Sequence, residues 1–119
     1  MTANECLAAA KASGPHYQRA INLFVDEFRR ADDCGRLALV CDPIEASGAL
    51  EGLVAAVVSA LCREAGMAPP PWVSLIHSPE PFFAFPARGF ALRLRLMLES
   101  PPPFRARNIF VPENYLARV

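Results

Sequence analysis

The sequence predicts an all-α fold, a compact helical bundle that forms a single domain over residues 1–119. Two segments repeat apolar residues at intervals of three and four, which is the spacing that places side chains on one face of an α-helix. Ten of the twelve prolines lie beyond residue 68, so we expect a proline-rich C-terminal segment that turns at rigid corners and wraps on the helices. A chain of 119 residues is long enough for one domain with one core.

The first two helices are predicted over residues 3–12 and 16–31. Thr2 and Glu5 have the spacing of a capping box, in which the hydroxyl accepts a hydrogen bond from the first turn and the glutamate reaches back. Over the second segment, apolar residues recur at helical spacing while polar residues take the other faces. Gly35 is expected to end this helix, because glycine readily adopts the left-handed conformation found at helix ends.

The middle of the chain predicts two further helices. The apolar run 36–41 is interpreted as helix, although its pattern also fits a short buried strand. Asp42 and Pro43 resemble a helix start, with a capping carboxylate and a proline in the first turn. From 47 to 65 a stripe of leucines and valines keeps helical spacing, and Gly66 is expected to end the helix. The core residues expected from this helix include Leu53, Val57 and Leu61.

Residues 69–86 differ in character from the rest, because six prolines, one tryptophan and three phenylalanines share these eighteen positions. One or two helical turns are predicted over 72–77, started by Pro71. The phenylalanines at positions 82, 83 and 85 are expected to cover the helical core as a lid.

Residues 89–99 carry a mixed signal. Phe or Leu occupies every second position, which is a strand pattern, yet the residues are helix formers and none is β-branched. We interpret the segment as a helix at the centre of the bundle, covered by the helices before it. The alternative is an α+β fold in which 89–99 form a strand. Beyond it we expect a single turn over 104–108, an extended stretch over 109–111 and a last helical turn over 112–116.

The charges balance at twelve basic and twelve acidic residues, so no overall field attracts nucleic acid or an anionic membrane. The two parts of the chain differ, however. Residues 1–87 carry six basic and ten acidic groups, whereas residues 88–119 carry six arginines and two glutamates. Either the basic tail packs on the acidic helices of its own fold, or it complements an acidic surface on a partner.

The four cysteines form no Cys-x-x-Cys pair, and the start of the chain has no signal-peptide pattern. We therefore expect buried, free thiols in a reducing, cytoplasmic environment. The longest strongly apolar run, from 50 to 62, is shorter than the roughly 20 residues needed to cross a bilayer, so no membrane association is predicted.

No catalytic motif is present, since the chain has neither a glycine-rich phosphate loop nor a Gly-x-Ser-x-Gly elbow. The best metal-ligand candidates are Cys34, Cys41, His16 and His77. They include no closely spaced pair, so we assign no metal site, no cofactor and no catalytic residue. An alternative interpretation is a small enzyme that uses a Cys/His pair, because such partners meet in space and not in sequence.

Rigid aromatic and arginine side chains concentrate in the last third of the chain, and such side chains dominate protein interfaces. The predicted interaction residues are Trp72, Phe82, Phe83, Arg105, Arg107 and Phe110. We therefore predict a non-enzymatic module that binds another protein or a second copy of itself. An alternative is a nucleic-acid-binding protein, in which these arginines grip phosphates and the interleaved aromatic rings stack on bases.

The run L-E-S-P-P-P-F-R-A-R-N-I-F-V at residues 98–111 resembles the tail of small uncharacterised bacterial proteins. Those proteins are associated with genes for nucleotidyltransferase-like partners, in arrangements similar to toxin–antitoxin loci. The resemblance spans about the last third of the chain, including Trp72 and the segment 81–83. It implies a bacterial, antitoxin-like partner of a neighbouring gene product, and it implies no catalytic residues.

Overall fold

The computed structural model describes residues 1–84 and 89–117 of the chain and shows a mostly helical domain, which confirms the predicted fold class. The segment 90–99 is a helix, so the α+β alternative is wrong. Two short 3-10 helices, Gly14–His16 and Pro71–Leu75, accompany the main elements. The α-helices and strands are α1 (Ala3–Ala12), α2 (Gln18–Arg30), α3 (Asp33–Val40), α4 (Ala49–Glu64), β1 (Phe82–Phe83), α5 (Phe90–Glu99), α6 (Pro102–Arg105) and β2 (Ile109–Phe110).

Helix α4 lies at the centre of the fold and is packed by α1, α2, α6, β2 and the second 3-10 helix. Its residues 52–59, 61 and 62 are all buried, because a helix that is apolar on every side is stable only when other elements surround it. Leu53, Val57 and Leu61 are fully buried, as predicted. The helix ends at Glu64, and Gly66, two residues further on, has a φ of +73° in the left-handed region that favours glycine, which confirms that stop.

Gly52 allows the chain to pass directly over the surface of α4. A Cβ atom at this position would lie 3.0 Å from the backbone N of Ser78 and 3.1 Å from the carbonyl carbon of His77. The loop at 77–78 therefore packs against the backbone of the central helix, at a distance that only glycine permits without a shift.

In the first half of the chain, the predicted helix start at Thr2 is confirmed, while the predicted stop at Gly35 and the predicted start at Asp42 are wrong. The capping box of α1 is present, with the Glu5 N–H donating to Thr2 Oγ1 at 3.2 Å and the Thr2 N–H donating to Glu5 Oε1 at 3.0 Å. Gly35 does not end α2, because its N–H donates to Asp32 Oδ1 at 2.8 Å and so helps to start α3, the helix predicted over 36–41.

Asp42 and Pro43 do not start a helix either. The Asn4 side chain donates from Nδ2 to their carbonyl oxygens, at 3.1 Å and 3.3 Å, which holds the chain in an irregular path. The buried side chain of Ile44 anchors the same segment, and α4 begins only at Ala49.

The sequence patterns missed a small parallel ladder between β1 and β2. Phe82 is paired with Ile109 and Phe83 with Phe110, and the Ala84 N–H donates to the carbonyl of Phe110 at 3.1 Å. Of the stretch 109–111 that was predicted to be extended, Ile109 and Phe110 form strand β2. The ladder fixes the predicted lid against the C-terminal segment; of its three phenylalanines, the one at position 85 lies outside the described residues.

The C-terminal segment wraps on the helices, as predicted. The three prolines that follow Ser100 mark the end of α5. They also start α6, because the N–H groups in the first turn of a helix have no partner within the helix, so proline is tolerated there. Further on, Arg29 Nη1 of α2 donates to the carbonyl of Leu116 at 2.8 Å, and the Tyr115 hydroxyl donates to Gln18 Oε1. Hydrogen-bonded turns, rather than a helix, occupy residues 113–116.

Two further predictions need correction. Helix α5 is not central and covered, because most of its described side chains are exposed. The four cysteines are free, but only Cys6 and Cys62 are buried, while Cys34 and Cys41 are exposed on or beside α3. Within residues 1–84 and 89–117, we find no helix that is both long and apolar enough to span a membrane.

Candidate interaction surface

Helix α5 is held at both ends by residues with special backbone roles. Gly89 precedes it with a φ of +90°, a conformation that favours glycine. At the other end, the buried Ser100 hydroxyl accepts a hydrogen bond from the Val111 N–H at 2.8 Å and lies within hydrogen-bond distance of the Leu96 carbonyl. Because Val111 follows β2, this bond fixes the direction in which α5 leaves the core.

One side chain of α5 anchors the helix to the rest of the molecule. Leu96 is buried and packs with Phe110 of β2 and the half-buried Phe83 of β1, as a small cluster separate from the main core. The rings of Phe83 and Phe110 have centroids 5.3 Å apart and are tilted by 34°, an offset arrangement that favours aromatic contact. The inner face of α5 is therefore covered by the two-stranded ladder.

The outer faces of α5 are apolar and exposed. Leu98 is 70% exposed, and Leu92, Leu94 and Met97 are 41–44% exposed. Leu94, Met97 and Leu98 share one face, since residues three and four apart are neighbours on a helix surface. Such a concentration of large apolar side chains on ten residues is unlike the single exposed leucines found elsewhere in the described chain, at positions 23, 37 and 75.

A groove of about 250 Å³ runs beside this face. Its walls are almost entirely apolar and combine α5 with the segment that leads into β1. The residues that line it are Pro81, Phe83, Arg93, Leu94 and Met97. The Arg93 guanidinium lies 5.3 Å from the centre of the Phe83 ring, so its charge is placed at the edge of the groove by a cation–π contact.

Arginines border the apolar face on both sides. Arg93 precedes Met97 by one helical turn, and Arg95 precedes Leu98 by three residues. Arg95 pairs with Glu99 at 3.3 Å within the helix. Residues 89–117 contain four arginines and two glutamates, which leaves this part of the chain with a net charge of +2.

A second, more polar cleft of about 490 Å³ lies at the C-terminal end of α5. Exposed Arg105 lines it together with Leu98, Glu99 and Glu113. The apolar face of α5 therefore continues into a rim that contains both signs of charge, as protein interfaces commonly do.

The six predicted interaction residues do not lie together. Phe83 and Phe110 lie beneath α5, and Arg105 lines the cleft at its end. Phe82 is half-buried against the main core, with its ring 5.9 Å from that of Tyr17. Trp72 is buried away from this helix, where its indole N–H donates to the Val40 carbonyl at 2.9 Å.

The guanidinium group of Arg107 is held by backbone carbonyls and does not belong to the α5 surface. Its Nε donates to the Val73 carbonyl at 3.0 Å and its Nη1 donates to the Pro103 carbonyl at 2.6 Å. Burial, and then the nearby charge of Arg63, lower the pKa of the Arg107 guanidinium from its ordinary value. Among the tail arginines, Arg107 thus bonds to backbone carbonyls, Arg93 contacts an aromatic ring and Arg95 pairs with a neighbouring glutamate.

The nucleic-acid interpretation needs aromatic rings with a free face for base stacking. Phe104 is fully buried, 5.5 Å from the Tyr115 ring, and Phe110 is buried under α5. Both rings fill the interior, so in this fold neither offers a face to a base.

The two buried thiols, Cys6 and Cys62, are poorly suited to nucleophilic catalysis. Burial raises the pKa of the Cys6 thiol to about 12 and also raises the pKa of Cys62, which disfavours the thiolate that nucleophilic catalysis requires. No cluster of three or more His, Cys, Asp or Glu side chains suited to a metal ion occurs in the described part of the chain.

The sequence interpretation missed the residues that now define the surface, Leu92, Leu94, Met97 and Leu98. A signal was present, because leucine at every second position of a helix distributes apolar side chains to all sides, and the helix is bounded by Gly89 and by prolines. A short segment of this kind has no single face to bury. Comparison of the chain with protein-family models, curated proteins and solved structures found no match.

Proposed function

We propose that the protein is a non-enzymatic interaction module, and that the outer face of α5 binds a partner protein. The supporting observation is the apolar face of Leu94, Met97 and Leu98 beside an apolar groove, on a helix that its own fold leaves exposed. In the recurring helix-in-groove mode, side chains spaced by three and four residues enter a partner's hydrophobic groove.

The partner chemistry follows from the arginines. A contact with an apolar centre and acidic residues at its edge would pair with Arg93 and Arg95 and would exclude water from the leucines. A symmetric contact between two copies would instead place the arginines beside the apolar face of one α5 close to those of the other. We therefore favour a different protein with an acidic rim over a second copy of this chain.

The resemblance of the C-terminal run suggests which kind of protein the partner is. We propose an antitoxin-like role, with a nucleotidyltransferase-like product of a neighbouring gene as the partner. The run 98–111 that carries the resemblance begins on α5 at the exposed Leu98 and continues through α6 to β2. The same residues therefore carry both the resemblance and part of the exposed surface.

The test is gentle purification of the tagged protein from its host, followed by sedimentation of the recombinant chain alone and with the recovered protein. Leu98→Asp, on the proposed surface, is compared with Leu37→Asp, which changes another largely exposed leucine, on α3. We expect a stoichiometric partner that is lost with Leu98→Asp and retained with Leu37→Asp. Arg93→Gln together with Arg95→Gln should weaken the complex and reduce its dependence on salt.

Three results would contradict the proposal. They are a monomer that recovers no stoichiometric partner, a complex that both aspartate variants disrupt equally, and a concentration-dependent dimer that Leu98→Asp abolishes. The last result would assign the surface to a second copy of the chain.

A further inference from the structure

A separate cleft of about 320 Å³ lies where the last turn of α4 meets the chain around 74–77 and the turn after α6. Its lining contains two guanidinium groups, one imidazole and one hydroxyl, and no carboxylate among the described residues. The residues that line it are Arg63, Ser74, Ile76, His77, Ala106 and Arg107.

Arg107 is held in this cleft without being neutralised. Both of its hydrogen-bond acceptors, the carbonyls of Val73 and Pro103, are uncharged. The hydrogens on Nη2 have no acceptor among the residues that the structure describes, so this edge of the guanidinium remains available for a ligand. Burial and then the nearby charge of Arg63 lower the pKa of Arg107, as expected for two like charges that line one cleft.

Arg63 supplies the second charge. It is exposed at the end of α4 and makes no hydrogen bond or ion pair with the described residues. The neighbouring carboxylate, Glu64, pairs with Arg29 at 2.9 Å and is thus already engaged.

The backbone around the cleft is fixed before any ligand arrives. The Ser78 N–H donates to the Arg107 carbonyl at 2.9 Å, and the Gly48 N–H donates to the His77 carbonyl at 3.1 Å. Asn108 Nδ2 adds a bond to the Ser78 carbonyl at 3.3 Å. The loop that carries His77 and the turn that carries Arg107 are therefore tied together, which lowers the entropic cost of binding.

We propose that this cleft binds a phosphate group, either free or at the end of a small metabolite, between Arg63 and Arg107. Guanidinium groups bind phosphate oxygens through paired N–H donors, and tetrahedral phosphate can accept from two directions at once. A phosphate dianion also matches the two positive charges, whereas a carboxylate carries only one negative charge. The inference is independent of the surface proposed on α5.

The experiment is titration calorimetry with inorganic phosphate, against sodium chloride at matched ionic strength. Arg63→Gln removes an exposed donor and should leave the fold intact, while Arg105→Gln is a matched control because Arg105 is exposed nearby in sequence but does not line this cleft. We expect saturable binding to the unmodified protein and to Arg105→Gln. Binding to Arg63→Gln should be weaker by about tenfold or more, the effect of losing a charged hydrogen bond.

AMP and adenosine distinguish the two sources of the phosphate. AMP that binds more tightly than inorganic phosphate, while adenosine does not bind, would show that the group belongs to a larger ligand; equal affinity would assign the site to free phosphate. Both results support the proposal. It is overturned if phosphate shows no saturable binding, or if Arg105→Gln weakens binding as much as Arg63→Gln does.

Discussion

Helices α4 and α5 are both rich in leucine and other apolar residues, yet one is the centre of the core and the other is mostly exposed. In α4, the small residues Gly52, Ala55 and Ala56 lie between larger ones, so neighbouring elements can approach the helix closely from several sides. In α5, leucine alternates with arginine, and long side chains project in every direction. Burial therefore depends on which side chains permit close packing, and apolar content alone does not determine it.

The largest loss of stability is expected from Leu53→Ala on α4, the buried helix of the two. Leu53 is fully buried, so its truncation removes apolar contacts and leaves a cavity at the centre of the fold. The free energy of unfolding should fall by about 2–5 kcal/mol, measured by urea denaturation. A loss below about 0.5 kcal/mol, typical of surface positions, would mean that α4 is not the central helix.

Close packing against α4 is tested by Gly52→Ala. Replacing glycine with alanine in a helix interior ordinarily raises the free energy of unfolding by about 0.5–1 kcal/mol. Here the new Cβ would meet backbone atoms of His77 and Ser78 at 3.0–3.1 Å, so we expect destabilisation of about 1–3 kcal/mol in thermal unfolding. Stabilisation by the substitution would show that the loop at 77–78 does not lie on the helix.

The attachment of α5 is tested by Ser100→Ala. The substitution leaves the buried Val111 N–H without its acceptor, and we expect a loss of about 1–3 kcal/mol in chemical denaturation. Ser74→Ala is the control, because its hydroxyl bonds locally to the Pro71 carbonyl at an exposed position, and it should cost less than about 0.5 kcal/mol. Equal effects of the two alanine variants would argue against the bond that links α5 to β2.

The smallest effect on stability is expected from Leu98→Ala on α5. Its side chain is 70% exposed, so the free energy of unfolding should change by less than about 0.5 kcal/mol. The same variant should nevertheless weaken the proposed complex, measured by sedimentation with the recovered partner. A loss of stability comparable to that of Leu53→Ala would place Leu98 in the core.

Local signals in the sequence were sufficient to predict several of the helices and their ends. The capping box of Thr2 and Glu5, the stripe of α4 and the stop at Gly66 all act within one or two helical turns, and all three are present. Gly35 was misinterpreted because Asp32 and glycine can serve either the end of one helix or the start of the next. That choice depends on where the neighbouring helices pack.

The candidate surface was harder to predict because it depends on contacts distant in sequence. The β1–β2 ladder joins segments 27 residues apart in register, from Phe82 to Ile109, and it buries only Leu96 among the described leucines of α5. Without that ladder, the alternating leucines give no indication of which side of the helix is covered. Trp72 and Phe110, chosen as aromatic anchors for a partner, fill the interior of this chain instead.

Native-state hydrogen exchange at several protein concentrations compares the two helices most directly. We predict that amides of α4 from Leu53 to Leu61 exchange only through global unfolding, while amides of α5 from Leu94 to Leu98 exchange through local opening at a clearly lower free energy. This difference should persist in a dilute monomer and disappear for α5 when the partner protein is bound. Protection of α5 equal to that of α4 in the isolated monomer would contradict an exposed helix available to a partner.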